Sequence, residues 1–187
     1  EIVVSVVSSI SSVDPGFSNP AVDAQRVFRS MLQATSRPGN IVTLDGAEGT
    51  GGLGSAAASA ALALVAKDTP VWLSEGLYDH GLPEWLRFHC GAPLTDDLSA
   101  AAFVLMDGPP DPEILNKVHQ GDPKYPDLSA TIIAELPALE GGQAVTLQGP
   151  GIKESIHLYA EGLGTECWQA WDQNNKRFPL GVDLFLC

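Results

Sequence analysis

The sequence predicts an α/β protein of one domain, with a mixed β-sheet covered by helices. Three observations predict it. Segments with apolar residues at helical spacing alternate along the 187 residues with short runs rich in Val, Ile, Leu and Phe. Gly and Pro clusters separate the two kinds of segment, without a long linker or an internal repeat. One neighbouring pair of runs, residues 130–136 and 143–148, is joined by a loop ending in Glu140-Gly-Gly, a hairpin signature that adds antiparallel pairing. A chain of this length suits a single domain over residues 1–187 and can bury a sizeable core.

The first residues, 1–13, are a leading segment, read as a first strand or as a processed or engineered end. The stretch EIVVSVVSSISS is apolar but lacks a basic flank. It falls far below the roughly 20 residues that span a bilayer. The chain does not begin with Met, so its native terminus is expected to lie beyond it.

Residues 17–41 then read as one capped helix and a turn. Ser18 or Asn19 can cap the free amides, and Pro20 suits the first helical position. Ala24, Val27, Phe28, Met31 and Leu32 form an apolar stripe, and Pro38-Gly39 ends the helix. Three of the chain's five arginines, Arg26, Arg29 and Arg37, lie here. Asp23 is spaced to pair with Arg26 on the helix surface.

A strand is expected over residues 40–44, then a flexible glycine-rich loop over 46–54. Residues 55–66 are Ala- and Leu-rich, apolar nearly all round, and predict a buried helix. A strand follows at 69–74, and a short helix at 80–89 with Pro83 in its first turn. Residues 102–106 predict a buried strand, ended by Asp107-Gly-Pro-Pro. Residues 112–120 predict a short helix capped by Asp111. After the expected hairpin come a helix at Thr165–Asn175 and a last apolar strand at 182–186.

Composition excludes some function classes. The net charge of -13 and pI near 4.4 argue against non-specific binding to nucleic acid and against docking on anionic membranes. They leave room for a phosphorylated ligand, because a local cationic cluster acts at short range. Cys90, Cys167 and Cys187 are odd in number, far apart and without a C-x-x-C, so a disulfide framework or zinc knuckle is not expected and a reducing cytoplasm is.

Several residues could carry chemistry. Gly49-Thr-Gly51-Gly-Leu-Gly54 satisfies G-x-G-x-x-G after an expected strand and before a helix. A dinucleotide site also wants a tight turn and an acidic residue closing the next strand, whereas Asp68 precedes that strand. A surface loop is the simpler reading. His89-Cys90 places a base beside a thiol, but sequence neighbours usually point apart, and His89 can instead close its helix. Two His at i, i+4, the helical metal-site spacing, do not occur. His80, His119 and His157 are isolated, and Glu84, Asp96 and Asp97 are expected to face solvent. The arginines have two open readings. Guanidinium groups match phosphate or phosphonate oxygens bidentately; alternatively Arg26 pairs with Asp23 while Arg37 pins its turn or meets a partner subunit. Trp168 and Trp171, three apart on one helix, would suit an interface if exposed.

The order of motifs carries a resemblance. Phe17, Pro20, Asp23-Ala-Gln25, Phe28-Arg29, Ala34 and Ser36-Arg-Pro-Gly39 form the first. Thr69-Pro-Val-Trp-Leu73, Phe88-His89 with Gly91-Ala-Pro93, Tyr125-Pro-Asp127 with Ser129-Ala-Thr131, Gly149-Pro-Gly-Ile152 and Phe178-Pro-Leu-Gly-Val-Asp183 follow. In this order they resemble the PhnH family of the bacterial carbon–phosphorus lyase system for phosphonate breakdown, over nearly the whole chain.

The resemblance implies a subunit of the core complex, supporting formation of alpha-D-ribose 1-methylphosphonate 5-triphosphate from ATP and methylphosphonate. It implies a fold like that of pyridoxal-phosphate-dependent transferases without the cofactor lysine, hence no pyridoxal phosphate and no other cofactor. It also implies a homodimer in isolation, other carbon–phosphorus lyase subunits as partners, and no catalytic or metal-binding residues of its own. The alternative is a phosphonate- or nucleotide-binding protein or enzyme that uses Arg26, Arg29, Arg37 and His89, or the glycine loop. Family members continue past Phe178–Asp183 into a further strand and a Pro-Arg-Thr-like tail. This sequence stops at Cys187, so that tail is expected to be missing.

Overall fold

The computed structural model describes residues 13–187. The reading of residues 1–12 as a strand or a processed end lies outside the described residues. The elements in order are α1 (Pro20–Ser36), α2 (Ser55–Leu64), β1 (Val71–Leu73), α3 (Leu82–Cys90), β2 (Phe103–Met106), α4 (Pro112–Lys117), β3 (Thr131–Ala134), β4 (Val145–Leu147), β5 (Ile156–Leu158), α5 (Thr165–Asn175) and β6 (Asp183–Leu186). Four strands make one sheet in the order β1-β2-β3-β6, and every pair in it is parallel.

Alternate residues of each strand feed two separate cores. Val71, Leu73, Leu105 and Ile133 face a core built with α1, α2 and α3. Val104, Met106, Ile132 and Ala134 face a second core with α4 and α5. The result is three layers, helices on both faces of a parallel sheet. This explains why β2 and β3 read as unbroken apolar runs, since both faces are covered. Ile132 and Ile133 are both fully buried although they point opposite ways.

Small residues set the layer spacing on the first face. Ala57, Ala58, Ala60 and Ala61 of α2 are fully buried, so α2 is the inner helix against the sheet and α1 packs outside it. Ser59, also buried, accepts a 2.9 Å hydrogen bond from the Ala47 amide and holds the connecting loop down. On the second face Asn174 clamps the last strand to α5. Its amide donates to the Val182 carbonyl at 3.0 Å and accepts from the Val182 amide at 2.8 Å.

Three expectations need correction. The sheet is not mixed: antiparallel pairing occurs in a separate ribbon, β4 with β5. The expected hairpin between 130–136 and 143–148 does not form. Its turn exists, with Gly141 and Gly142 at positive φ, but β3 is central in the parallel sheet and β4 pairs with the unforeseen β5. Burial decides the partners. A strand apolar on both faces belongs between two strands, whereas β4 buries one side only. Residues 40–44 form no strand and have no ladder partner among the described residues, although Leu44 is buried.

A short extended segment completes the sheet edge. Val71 donates to the Pro93 carbonyl, and Thr95 donates to that of Val71, both at 2.9 Å, as a parallel bridge outside β1. The chain therefore steps outward from β1 through α3, then returns to β2 on the other side. The direction of winding reverses between the ends of β1 and β2, the position where open parallel sheets form a crevice at their carboxyl edge.

Candidate functional site

That crevice is filled by the protein's own side chains. Ser74, just after β1, donates a 2.6 Å hydrogen bond to Asp107, just after β2, and accepts from the Asp107 amide at 3.1 Å. Glu135, just after β3, accepts from the Gly54 amide at 2.9 Å. Gly54 caps the N-terminus of α2, so a carboxylate sits where a helix N-terminus would otherwise receive an anion.

The G-x-G-x-x-G loop is correspondingly no cradle. Thr50 and Leu53 exchange two 2.9 Å backbone hydrogen bonds around Gly51 and Gly52, which take φ of 59° and 88°. This is a tight turn that needs glycine at both central positions. Gly51 lies against Leu82 and Gly52 against Leu77, and the Thr50 hydroxyl donates to Asp14 at 2.7 Å. The expected flexible loop is thus a turn pinned on three sides, with Thr50 and Leu53 buried.

The arginines of α1 do not converge. Arg26 donates to Asp23 at 2.8 Å and twice to the Asp45 carbonyl, at 2.8 and 3.1 Å. Asp23 in turn accepts from the Asn19 amide, so the N-terminus of α1, its carboxylate and Arg26 form one cap. The Asn19 side chain itself makes no cap bond. Arg29 lies on the outer face beside exposed Phe28 and Leu32 and has no charged partner among the described residues. Arg37, after the last turn of α1, lines a cleft of about 400 Å³ against residues 151–156.

His89 lies at the far end of α3. Its Nε2 is 2.9 Å from the Asp14 carbonyl, its ring packs tilted on Trp85, and Gly16 lies against its face. Trp85 Nε1 reaches the Pro15 carbonyl at 3.5 Å, so both rings tie down the segment that leads into α1. The neighbouring thiol is a poor nucleophile near neutral pH, because burial pushes Cys90 from 9.0 up to about 11. Cys187 rises to about 12 through burial and then the charge of Glu135. Cys167 is raised by burial and then by Asp111.

Trp168 and Trp171 are not an exposed pair; both are half-buried against the second core. The indole N–H of Trp168 is buried without an acceptor among the described residues. Among those residues, groups of three or more His, Cys, Asp or Glu side chains that could hold a metal ion are absent. So is any helix long and apolar enough to cross a membrane.

The residues that shape these places were only partly visible in sequence. Glu135, Asp45 and Lys153 were missed. The signal for Glu135 was an acidic residue directly after a buried apolar run, the usual place for a side chain at a sheet's carboxyl edge. Nothing in the sequence marked Asp45, because it acts through its backbone carbonyl. Lys153 follows Gly149-Pro-Gly-Ile152, a stretch readable only as a turn.

Comparison with known proteins covers the same span. Residues 15–187 match the family described as "Bacterial phosphonate metabolism protein (PhnH)". The chain is 39% identical over 171 residues to the "Alpha-D-ribose 1-methylphosphonate 5-triphosphate synthase subunit PhnH" of Rhizobium meliloti (strain 1021), covering 91% of this chain and 86% of that protein. It is 31% identical over 168 residues to the "Putative C-P lyase subunit protein HtxG" of Stutzerimonas stutzeri, covering 87% of this chain and 77% of that protein.

Proposed function

This chain belongs to the PhnH family of bacterial phosphonate metabolism proteins, and from that premise we propose that it acts as a subunit of the carbon–phosphorus lyase system. The carrying observation is the extent of the match, which runs from residue 15 through both helix layers to residue 187. In the finer reading, the subunit supports formation of alpha-D-ribose 1-methylphosphonate 5-triphosphate from ATP and methylphosphonate, with the chemistry performed on other subunits.

The geometry supports that division of labour. The half-buried thiols of Cys90 and Cys187 are pushed up to about 11 and about 12, so they are poor nucleophiles near neutral pH. His89 is spent on the Asp14 carbonyl. The helix N-terminus that follows the glycine motif is occupied by Glu135. In the finer reading the fold is of the pyridoxal-phosphate-dependent transferase kind, used without its cofactor. A parallel sheet covered on both faces is compatible with that likeness. The free subunit is a homodimer in this reading, and works in the cytoplasm, consistent with three unpaired cysteines.

Co-expression with the other subunits of the ribose 1-methylphosphonate 5-triphosphate synthase tests the role. The chain is expected to co-elute with them as one assembly of defined stoichiometry, and to sediment as a dimer alone. Its recovery as a separate species, with the remaining subunits assembled and active without it, would remove the subunit reading.

A further inference from the structure

The chain has 23 acidic and 10 basic side chains, so a cation left without a carboxylate is informative. Arg26, Arg87, Lys117 and Lys176 are paired with Asp23, Glu84, Glu113 and Asp172. Arg177 donates to Gln120 and Asn116. Arg29, Arg37, Lys67, Lys124 and Lys153 have neither a carboxylate nor an amide partner among the described residues, and of these five Arg37 and Lys153 line the same cleft. One comes from the turn after α1, the other from the loop between β4 and β5, 116 positions later in the sequence (153 minus 37).

The cleft is shaped by backbone rather than by loose side chains. Gly39 and Gly151 hold positive φ, 86° and 83°. A Cβ on Gly39 would stand 2.7 Å from Ile156 Cγ2, and one on Gly151 would strike the Ser36 carbonyl. The two turns therefore pack directly on one another, which fixes the separation of the backbones that carry the two cations. Asn40 and Ser155 add neutral donors to the lining, and Glu154 adds one acceptor. The cleft is open to solvent and has a volume of about 400 Å³.

We propose that this cleft is an anion site for a small molecule carrying a phosphoryl or phosphonyl group, held by Arg37 and Lys153. Both cations are exposed on the lining of one cleft, and like charges that share a lining favour an anion between them. A guanidinium and an ammonium supply one planar fork and one compact charge, the combination that grips a tetrahedral oxyanion. Glu154 on the same lining accepts a hydrogen bond from a hydroxyl or ammonium on the ligand's tail. The site is separate from the glycine loop, and it stands whether or not the subunit role holds.

Calorimetric titration of the full chain with methylphosphonate, 2-aminoethylphosphonate and glycerol 3-phosphate tests it, with sulfate as the competing ion. Saturable binding is expected. It should weaken about 10-fold in Arg37→Gln or Lys153→Gln and about 100-fold in the double variant, the scale of losing one and two charge-assisted hydrogen bonds. Circular dichroism verifies that each variant is folded, and Arg26→Gln should bind like the wild type. Preference between the phosphonates and the phosphate ester assigns the source of the oxyanion. Failure of the wild type to saturate with any of the three would overturn the proposal, as would unchanged affinity in the folded double variant or equal weakening by Arg26→Gln.

Discussion

Two places in this fold could receive an anion, and they are built oppositely. At the N-terminus of α2 the motif is conspicuous, a G-x-G-x-x-G followed by a helix, yet Glu135 already accepts from Gly54 there. At the far end of α1 the motif is plain, two Pro-Gly turns packed together, yet Arg37 and Lys153 line an open cleft with no carboxylate bonded to them among the described residues. The contrast teaches that an anion site is defined by donors left uncompensated after folding. A glycine pattern supplies the backbone conformation for such a site but says nothing of what fills it.

The largest effect should come from emptying the filled site. Glu135→Ala removes the acceptor of the Gly54 amide and the negative charge at the start of α2. It should lower stability by about 2–3 kcal/mol, read as a fall in urea midpoint at unchanged slope. With the N-terminus of α2 emptied, phosphate should restore more stability to this variant than to the wild type. A variant as stable as the wild type, without phosphate, would break the comparison.

Gly151→Ala should rank next. The residue holds φ of 83° and its new methyl would meet the Ser36 carbonyl, so the two turns must part. Strain of this kind costs about 1–3 kcal/mol, and the oxyanion affinity of the cleft should fall with it. Retention of both, measured by thermal melting and calorimetry, would show that the contact between turns does not shape the cleft.

Arg26→Ala sharpens the contrast within α1 itself. Arg26 bonds to Asp23 and to the Asp45 carbonyl, but its side chain is 55% exposed. The loss should therefore be about 1 kcal/mol or less. Leaving Asp23 buried without its cation is the part most open to measurement, as a shallow decrease in melting temperature. A loss of several kcal/mol would mean the cap on α1 supports the whole outer layer.

Helix positions were legible because their signals are local. Pro20 and Pro112 near helix starts, Asp111 as a cap, and Pro38-Gly39 as a stop all act within one turn of chain. Asp111 indeed accepts from the Ile114 amide at 2.8 Å. The alternation of elements likewise gave the layered α/β class. Strand partners were less legible. The Gly141-Gly142 turn was read correctly, but a turn states only that the chain reverses, and two strands beyond it were available to pair with β4.

The candidate residues divide along the same line. The pairing of Asp23 with Arg26 followed from helical spacing alone. The role of His89 did not, because its partner is a backbone carbonyl 75 positions away. Glu135 reaches Gly54 across 81 positions, and Lys153 joins Arg37 only because the loop between β4 and β5 folds against the end of α1. Sequence therefore established the layered α/β class, the positions of the helices and the family, through interactions between residues a few positions apart and motifs that keep their order. Which donors end up satisfied and which remain open depended on long-range packing. That packing sets charges and carbonyls together by the three-dimensional path of the chain, not by their distance along it.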